Sequence, residues 1–79
     1  MNELIKLFER MQSVKQSMVL DISFDRVADW YIEFVWRDKE IILFSQDTNI
    51  TIASIKMIKK LIDLCSDYEE LQDIPGNVL

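Results

Sequence analysis

Few side chains in this sequence have the chemistry needed for covalent catalysis. Cys65 is the single cysteine, and the chain contains no histidine. Without an imidazole, neither a thiol nor a serine hydroxyl has its usual general base, and histidine ligation of a metal is excluded. A lone cysteine also excludes an internal disulfide and a cysteine-rich zinc site. Cys65 falls on the apolar stripe of a predicted helix, where burial as a small hydrophobe is the simpler interpretation.

Carboxylates are the remaining reactive groups. Asp21, Asp25 and Glu33 share the polar face of neighbouring predicted strands. Carboxylates grouped in this way could act as an acid–base pair or bind a hard metal ion. A solvated strand face explains them as well. The only glycine, Gly76, lies near the C-terminus, which excludes a glycine-rich phosphate loop. We therefore expect no enzymatic activity, no metal and no cofactor.

The elements that position these residues follow from hydrophobic periodicity. Apolar residues recur every three or four positions in residues 2–17, which predicts a helix. From residue 18 the period changes to two, which predicts strands at 18–25, 29–37 and 40–46. The third of these holds an unbroken apolar run, Ile41 to Phe44, which suggests a strand covered on both sides.

Helical spacing returns after the third strand. Residues 50–72 are expected to be helical, with Asn49 or Thr51 as the N-cap, although a short fourth strand at residues 50–52 stays open. The predicted apolar stripe of this helix includes Ile55 and Ile62. Ser66 and Glu69 have capping-box spacing, so a break near Ser66 also stays open. Residues 73–79 are expected to be a loose tail.

The predicted order of elements indicates the fold class. Both connections between strands are too short for a parallel crossover, so the three strands form an antiparallel meander. An N-terminal helix, this sheet and a C-terminal helix make an α+β fold with the helices on one sheet face. The 79 residues fit a single compact domain, 1–79.

Charge and hydropathy limit the class of partner. Fourteen acidic against nine basic residues give a net charge of −5, which argues against direct nucleic-acid binding. The longest uncharged run, residues 48–55, is far shorter than the ~20 residues that span a bilayer. We expect a soluble, cytoplasmic protein that binds no membrane.

One face of the predicted sheet has no helix to cover it. If Trp30, Ile32, Phe34 and Trp36 face the helices, the opposite face contains Val19, Tyr31 and Val35. The third strand adds either Ile41 and Leu43 or Ile42 and Phe44 to that face. Apolar surfaces of this kind are rarely left open, so a partner, a second copy of the chain or a C-terminal segment that folds back is expected to cover it.

The C-terminal part of the sequence contains five acidic residues and no basic residue between positions 63 and 73. Such a run is typical of a solvated face, and the alternative is contact with a basic groove on a partner. The residues are Asp63, Asp67, Glu69, Glu70 and Asp73.

The whole-chain organisation resembles small phage-encoded inhibitors, in particular the anti-CRISPR proteins that block Cas9. The features that support the resemblance are the opening Met1-Asn2-Glu3-Leu4-Ile5, the acidic surface and the order of elements from residue 2 to about 72. In that group, acidic residues occupy a basic nucleic-acid-binding surface of the target. The resemblance implies that role for Asp21, Asp25, Asp29, Glu33, Asp38, Glu40 and Asp47.

The sequence therefore predicts a small acidic module that binds another protein and has no catalytic role. Its partner is expected to be a basic, nucleic-acid-handling effector, met in the cytoplasm of a bacterial host cell if the chain is phage-encoded. The alternative is a structural homodimer, or a small subunit of a larger assembly, that uses the uncovered sheet face.

Overall fold

The structure is a computed structural model that describes residues 1–27 and 29–78. Ala28, between the first two predicted strands, and Leu79, at the end of the predicted tail, lie outside the described residues. The bounds of the elements are α1 Asn2–Val14, β1 Met18–Asp25, β2 Asp29–Trp36, a first 3₁₀ turn Arg37–Lys39, β3 Ile41–Asp47, α2 Ile50–Ser66, a second 3₁₀ turn Glu69–Leu71 and α3 Ile74–Val78.

The three strands form one antiparallel sheet in the order β1-β2-β3. Ile32 of β2 pairs with Ile22 of β1 and with Ser45 of β3. Because side chains alternate along a strand, this register separates an inner face, which the helices cover, from an outer face. The predicted α+β fold, with an antiparallel meander and helices on one sheet face, is confirmed.

The core lies between the inner face of the sheet and the helices. Ile32, Phe34 and Trp36 of β2 are buried there. Burial of each large apolar side chain contributes roughly 1.5–3 kcal/mol, so this layer is the main source of stability. The buried hydroxyl of Ser45 donates a hydrogen bond to the carbonyl of Ala53 at 2.8 Å, which fastens β3 to the first turns of α2. The helix residues in the same core include Leu4, Leu7, Met11, Met57, Leu61 and Leu64.

Helix α1 ends at Val14, three residues before the predicted end. Lys15 has an extended backbone (φ −129°, ψ 94°), since the chain must leave the helix in order to enter β1 at Met18. At the other end, Met1 occupies the N-cap position, without a side-chain hydrogen bond.

Helix α2 begins at the predicted cap. The side-chain oxygen of Asn49 accepts hydrogen bonds from the backbone N–H groups of Thr51 and Ile52, at 2.8 and 3.2 Å. Residues 50–52 are therefore helical, and the open alternative of a fourth strand is excluded. The buried stripe differs from the predicted one, because Ile55 and Ile62 are exposed. The buried residues of α2 are Ala53, Ser54, Met57, Leu61, Leu64 and Cys65.

Strand β3 is covered on one side only, which corrects the interpretation of its apolar run. Ile41 and Leu43 pack against the core, whereas Ile42 and Phe44 are 64% and 52% exposed on the outer face. β3 forms the edge of the sheet beyond β2, and the helices that cover it all lie on the inner side. An apolar run alone does not distinguish a doubly covered strand from an edge strand with one uncovered face.

The C-terminal segment is more ordered than predicted. Helix α2 ends at Ser66, so of the two open alternatives the helix breaks near that residue. The expected loose tail instead contains α3, Ile74–Val78, which lies against α1. Leu71 and Ile74 are buried in the core, and this burial anchors the segment. Pro75 is tolerated because the first turn of a helix needs no intrahelical N–H donor.

Candidate protein-interaction surface

In the part of the chain that the structure describes, Cys65 is buried and the acidic side chains form no metal-binding group. The thiol of Cys65 is 1% exposed, and burial raises its pKa to about 11, which keeps it protonated and unreactive at neutral pH. Among the described residues, no three carboxylate or thiol side chains lie close enough together to hold a metal ion. Nor does any described helix combine the length and apolar composition needed to cross a bilayer.

The candidate surface is the outer sheet face, the side of the sheet opposite the helices. The strand register aligns its residues in three rows that run across the sheet. Val19, Tyr31 and Val35, the apolar residues predicted for this face, all lie on it. The rows are Val19–Val35–Ile42, Asp21–Glu33–Phe44 and Ser23–Tyr31–Gln46.

Apolar side chains cover one end and one side of the outer sheet face. Val19, Val35 and Ile42 form a continuous apolar row across all three strands. The rings of Tyr31 and Phe44 stack diagonally between β2 and β3, with their centroids 5.8 Å apart and their planes 20° apart. This arrangement places two nearly parallel aromatic rings side by side on the outer sheet face, where a partner could pack on them.

Carboxylates occupy the β1–β2 side of the outer sheet face. Asp21 pairs directly with Glu33, and Asp25 pairs with Asp29 at the end of the same hairpin. The hydroxyl of Tyr31 donates a hydrogen bond to Glu33 Oε2 at 3.3 Å. Desolvation raises the pKa of Tyr31, and the negative charge of Glu33 raises it further, so the phenol remains a hydrogen-bond donor. An apolar area thus adjoins an acidic one on the same face.

The structure does not bring the seven acids implied by the resemblance into one surface. Four of them lie on the β1–β2 hairpin, whereas Asp38 and Glu40 lie at the opposite end of the sheet, in and beside the first 3₁₀ turn. Asp47 has a structural role. It accepts hydrogen bonds from the N–H of Asn49 at 2.9 Å and from Lys56 at 3.0 Å, and these contacts lower its pKa.

One residue of the acidic C-terminal segment forms an ion pair at the end of α1. Glu70 pairs with Lys15 at 3.3 Å, which joins the second 3₁₀ turn to the end of α1. A backbone hydrogen bond, followed by the contact with Lys15, lowers the pKa of Glu70. Asp63 and Asp67 line an open depression of ≈ 330 Å³ together with Leu43, Lys60 and Leu64. Glu69 and Asp73 are exposed, so this segment presents separate carboxylates rather than one acidic surface.

Two features of the surface were missed at the sequence level. Alternation along β1 places Ile22 and Phe24 on the inner face, yet both are exposed. The ring of Phe24 instead lies 5.0 Å from that of Trp30. Lys56 and Lys60 were not predicted to contact the sheet, but each donates a hydrogen bond to a backbone carbonyl of β3. Their spacing of four residues, which places both on one side of α2, was the available signal.

Comparisons of the chain with protein-family models, with curated proteins and with solved structures found no match. The resemblance to phage-encoded inhibitors therefore stays a prediction.

Proposed function

We propose that this chain is a protein-binding module without catalytic activity, and that the outer sheet face is its contact surface. The observation that supports this most strongly is the exposure of Ile42 and Phe44 beside Val35, on a face that none of the described helices covers. Protein interfaces combine an apolar centre with a polar rim, and the carboxylates of Asp21 and Glu33 provide such a rim on one side.

The charge of this face favours a basic partner. Strands β1 and β2 contain four acids and neither lysine nor arginine. Complementary charge speeds encounter and fixes the orientation of the two proteins. A module with this surface would occupy the basic, nucleic-acid-binding face of a larger protein and block it, as an inhibitor of the anti-CRISPR type does. The cytoplasm of a bacterial host is the compartment that goes with this proposal.

Site-specific photocrosslinking in bacterial cytoplasm tests the contact surface. A photoreactive amino acid replaces Ile42 on the outer sheet face or, as the matched control, the exposed Ile55 on α2. We expect Ile42 to yield one basic protein that Ile55 does not yield. The purified partner should then bind a Tyr31→Lys, Val35→Lys double variant more weakly than wild type. Equal crosslinking from both positions, or unchanged affinity of the double variant, would contradict the proposal.

A homodimer is the second candidate, and the continuous row Val19–Val35–Ile42 favours it. Such a row can pack against its own copy across a two-fold axis. In that case the Tyr31→Lys, Val35→Lys double variant should be monomeric where the wild type is dimeric. A wild-type chain that is already monomeric would eliminate this candidate.

A further inference from the structure

The two edge strands of the sheet differ in how many of their outward-pointing backbone groups are bound by side chains. On the β3 edge, Lys60 donates a hydrogen bond to the carbonyl of Phe44, and Lys56 donates to the carbonyl of Gln46 at 3.2 Å. Both carbonyls point away from β2, since alternate residues of an edge strand direct their backbone groups outward. Lysines placed on an edge strand are a common protection against further strand pairing. The β3 edge is therefore closed by α2.

The β1 edge has such protection at one end only: among the described residues, Gln12 Nε2 of α1 donates a hydrogen bond to the carbonyl of Met18 at 3.0 Å. Because Phe44 points its backbone away from β2, its partner Glu33 must direct its own N–H and C=O toward Asp21 on β1. The backbone groups of Leu20, Ile22 and Phe24 then point outward. Within the described residues, no side chain donates to or accepts from the backbone of these three residues, and β1 is exposed on both faces from Asp21 onward.

We infer that the β1 edge binds an extended segment of another protein, which joins the sheet as a fourth strand. Main-chain hydrogen bonds to Leu20, Ile22 and Phe24 would supply affinity, and alternate side chains would supply specificity. This inference shares with the proposed function only the premise that the chain acts by binding a protein. The edge adjoins the outer sheet face and shares Asp21 with it, but the backbone groups that would pair with the segment are those of Leu20, Ile22 and Phe24, whose side chains lie on the inner face.

The side chains beside the β1 edge define the chemistry of the segment. On the inner face, an added strand would meet Ile22 and Phe24, which no described helix covers fully. On the outer face, it would meet the carboxylates of Asp21 and Asp25. Residues on alternate faces of the segment should therefore be apolar and basic in turn.

A second copy of this chain fits the same edge poorly. Pairing β1 with β1 would bring together two hairpins, and the two strands of each hairpin together contain four acids and no base. Like charges on adjacent strands oppose pairing. Charge complementarity thus favours a basic segment from a different protein.

Peptide titration tests the inference. The probe is a fluorescent seven-residue peptide in which lysine alternates with isoleucine, and one control carries N-methyl groups on the amides that would face β1. A second control has glutamate in place of lysine. We expect saturable binding by the first peptide, with amide shifts at Leu20, Ile22 and Phe24 in NMR spectra, and a loss of about tenfold or more in affinity for both controls.

Matched protein variants show how much of the peptide affinity comes from the charge of Asp21 and how much from backbone pairing with β1. Asp21→Asn should weaken peptide binding, whereas Asp63→Asn, the same charge change on α2, should leave it unchanged. The Tyr31→Lys, Val35→Lys variant, which tests the outer sheet face, should still bind the N–H-bearing peptide better than the N-methylated one. No saturable binding up to about 1 mM, equal affinity for the N-methylated peptide, or self-association through β1 would overturn the inference.

Discussion

Asp21 and Glu33 lie directly opposite each other on β1 and β2, on the face of the sheet away from the helices. Like charges in such a cross-strand pair destabilise a sheet. Local choices that reduce stability without a structural gain are concentrated at functional sites, where binding compensates for them. This pair therefore lowers the stability of the free protein, and binding of a basic partner would compensate for that loss.

Removing one charge of this pair should stabilise the protein. We expect Asp21→Asn to raise the free energy of unfolding by about 0.2–1 kcal/mol, measured by urea denaturation. Asp63→Asn is the matched control and should stay within about 0.5 kcal/mol of wild type. A loss of stability in Asp21→Asn would show that the two carboxylates do not repel each other.

The cap of α2 gives a second prediction. Asn49→Ala removes the oxygen that accepts from two N–H groups, and it should cost about 1 kcal/mol of unfolding free energy. Thr51→Ala, at the other candidate position, should cost less than about 0.5 kcal/mol, since its hydroxyl does not cap the helix. Urea denaturation of both variants checks this, and equal losses would contradict the assignment of Asn49 as the cap.

Stability at low pH should depend on Asp47. Contacts with Asn49 and Lys56 lower the pKa of this carboxyl in the folded protein, below its ordinary value of 3.8. Its stabilising contribution is therefore complete above that value and is lost as the pH falls through the lower folded pKa. Asp47→Ala should be less stable than wild type at neutral pH, and the difference should shrink under acid.

Urea midpoints of wild type and Asp47→Ala at a series of pH values measure this difference. Thr48→Ala, which removes a long 3.4 Å hydrogen bond to the same carboxylate, is the control and should change the pH dependence little. A difference between wild type and Asp47→Ala that stays constant down to strongly acid pH would rule out the proposed contribution.

Cys65 should be inert in the folded protein. Burial excludes reagents and raises the pKa of its thiol to about 11, so little thiolate is present at neutral pH. We expect iodoacetamide to label Cys65 slowly in buffer and rapidly in denaturant, as followed by mass spectrometry. Equally fast labelling under both conditions would place the thiol at the surface and reopen a covalent role.

Periodicity predicted most of the secondary structure because the helix and strand patterns here are long and distinct. The change of period at Met18 matches the start of β1, and Asn49 was correctly named as a candidate cap. Periodicity could not predict which side of α2 is buried, because isoleucines occur on more than one side of this helix. Tertiary packing alone selects the side that faces the core. The same limit applies to Ile42, which is apolar yet exposed.

The candidate site was predictable in part. Strand alternation correctly placed Val19, Tyr31 and Val35 on one face. In the observed register, odd-numbered residues of β1 pair with odd-numbered residues of β2, so these side chains point to the same side of the sheet. The separation of Asp38 from the acids of the hairpin depends on three-dimensional placement, which linear spacing does not contain. The lysine contacts that close the β3 edge depend in addition on the packing angle of α2.

The most direct test of the central claim is the solution mass of the untagged protein. The claim is that the outer sheet face is kept open for a different protein. We expect light scattering on a sizing column to give the monomer mass of 9.4 kDa at two concentrations, because carboxylates on that face repel a second copy. A mass of twice that value at both concentrations would contradict the account, since the face would then be an interface between copies.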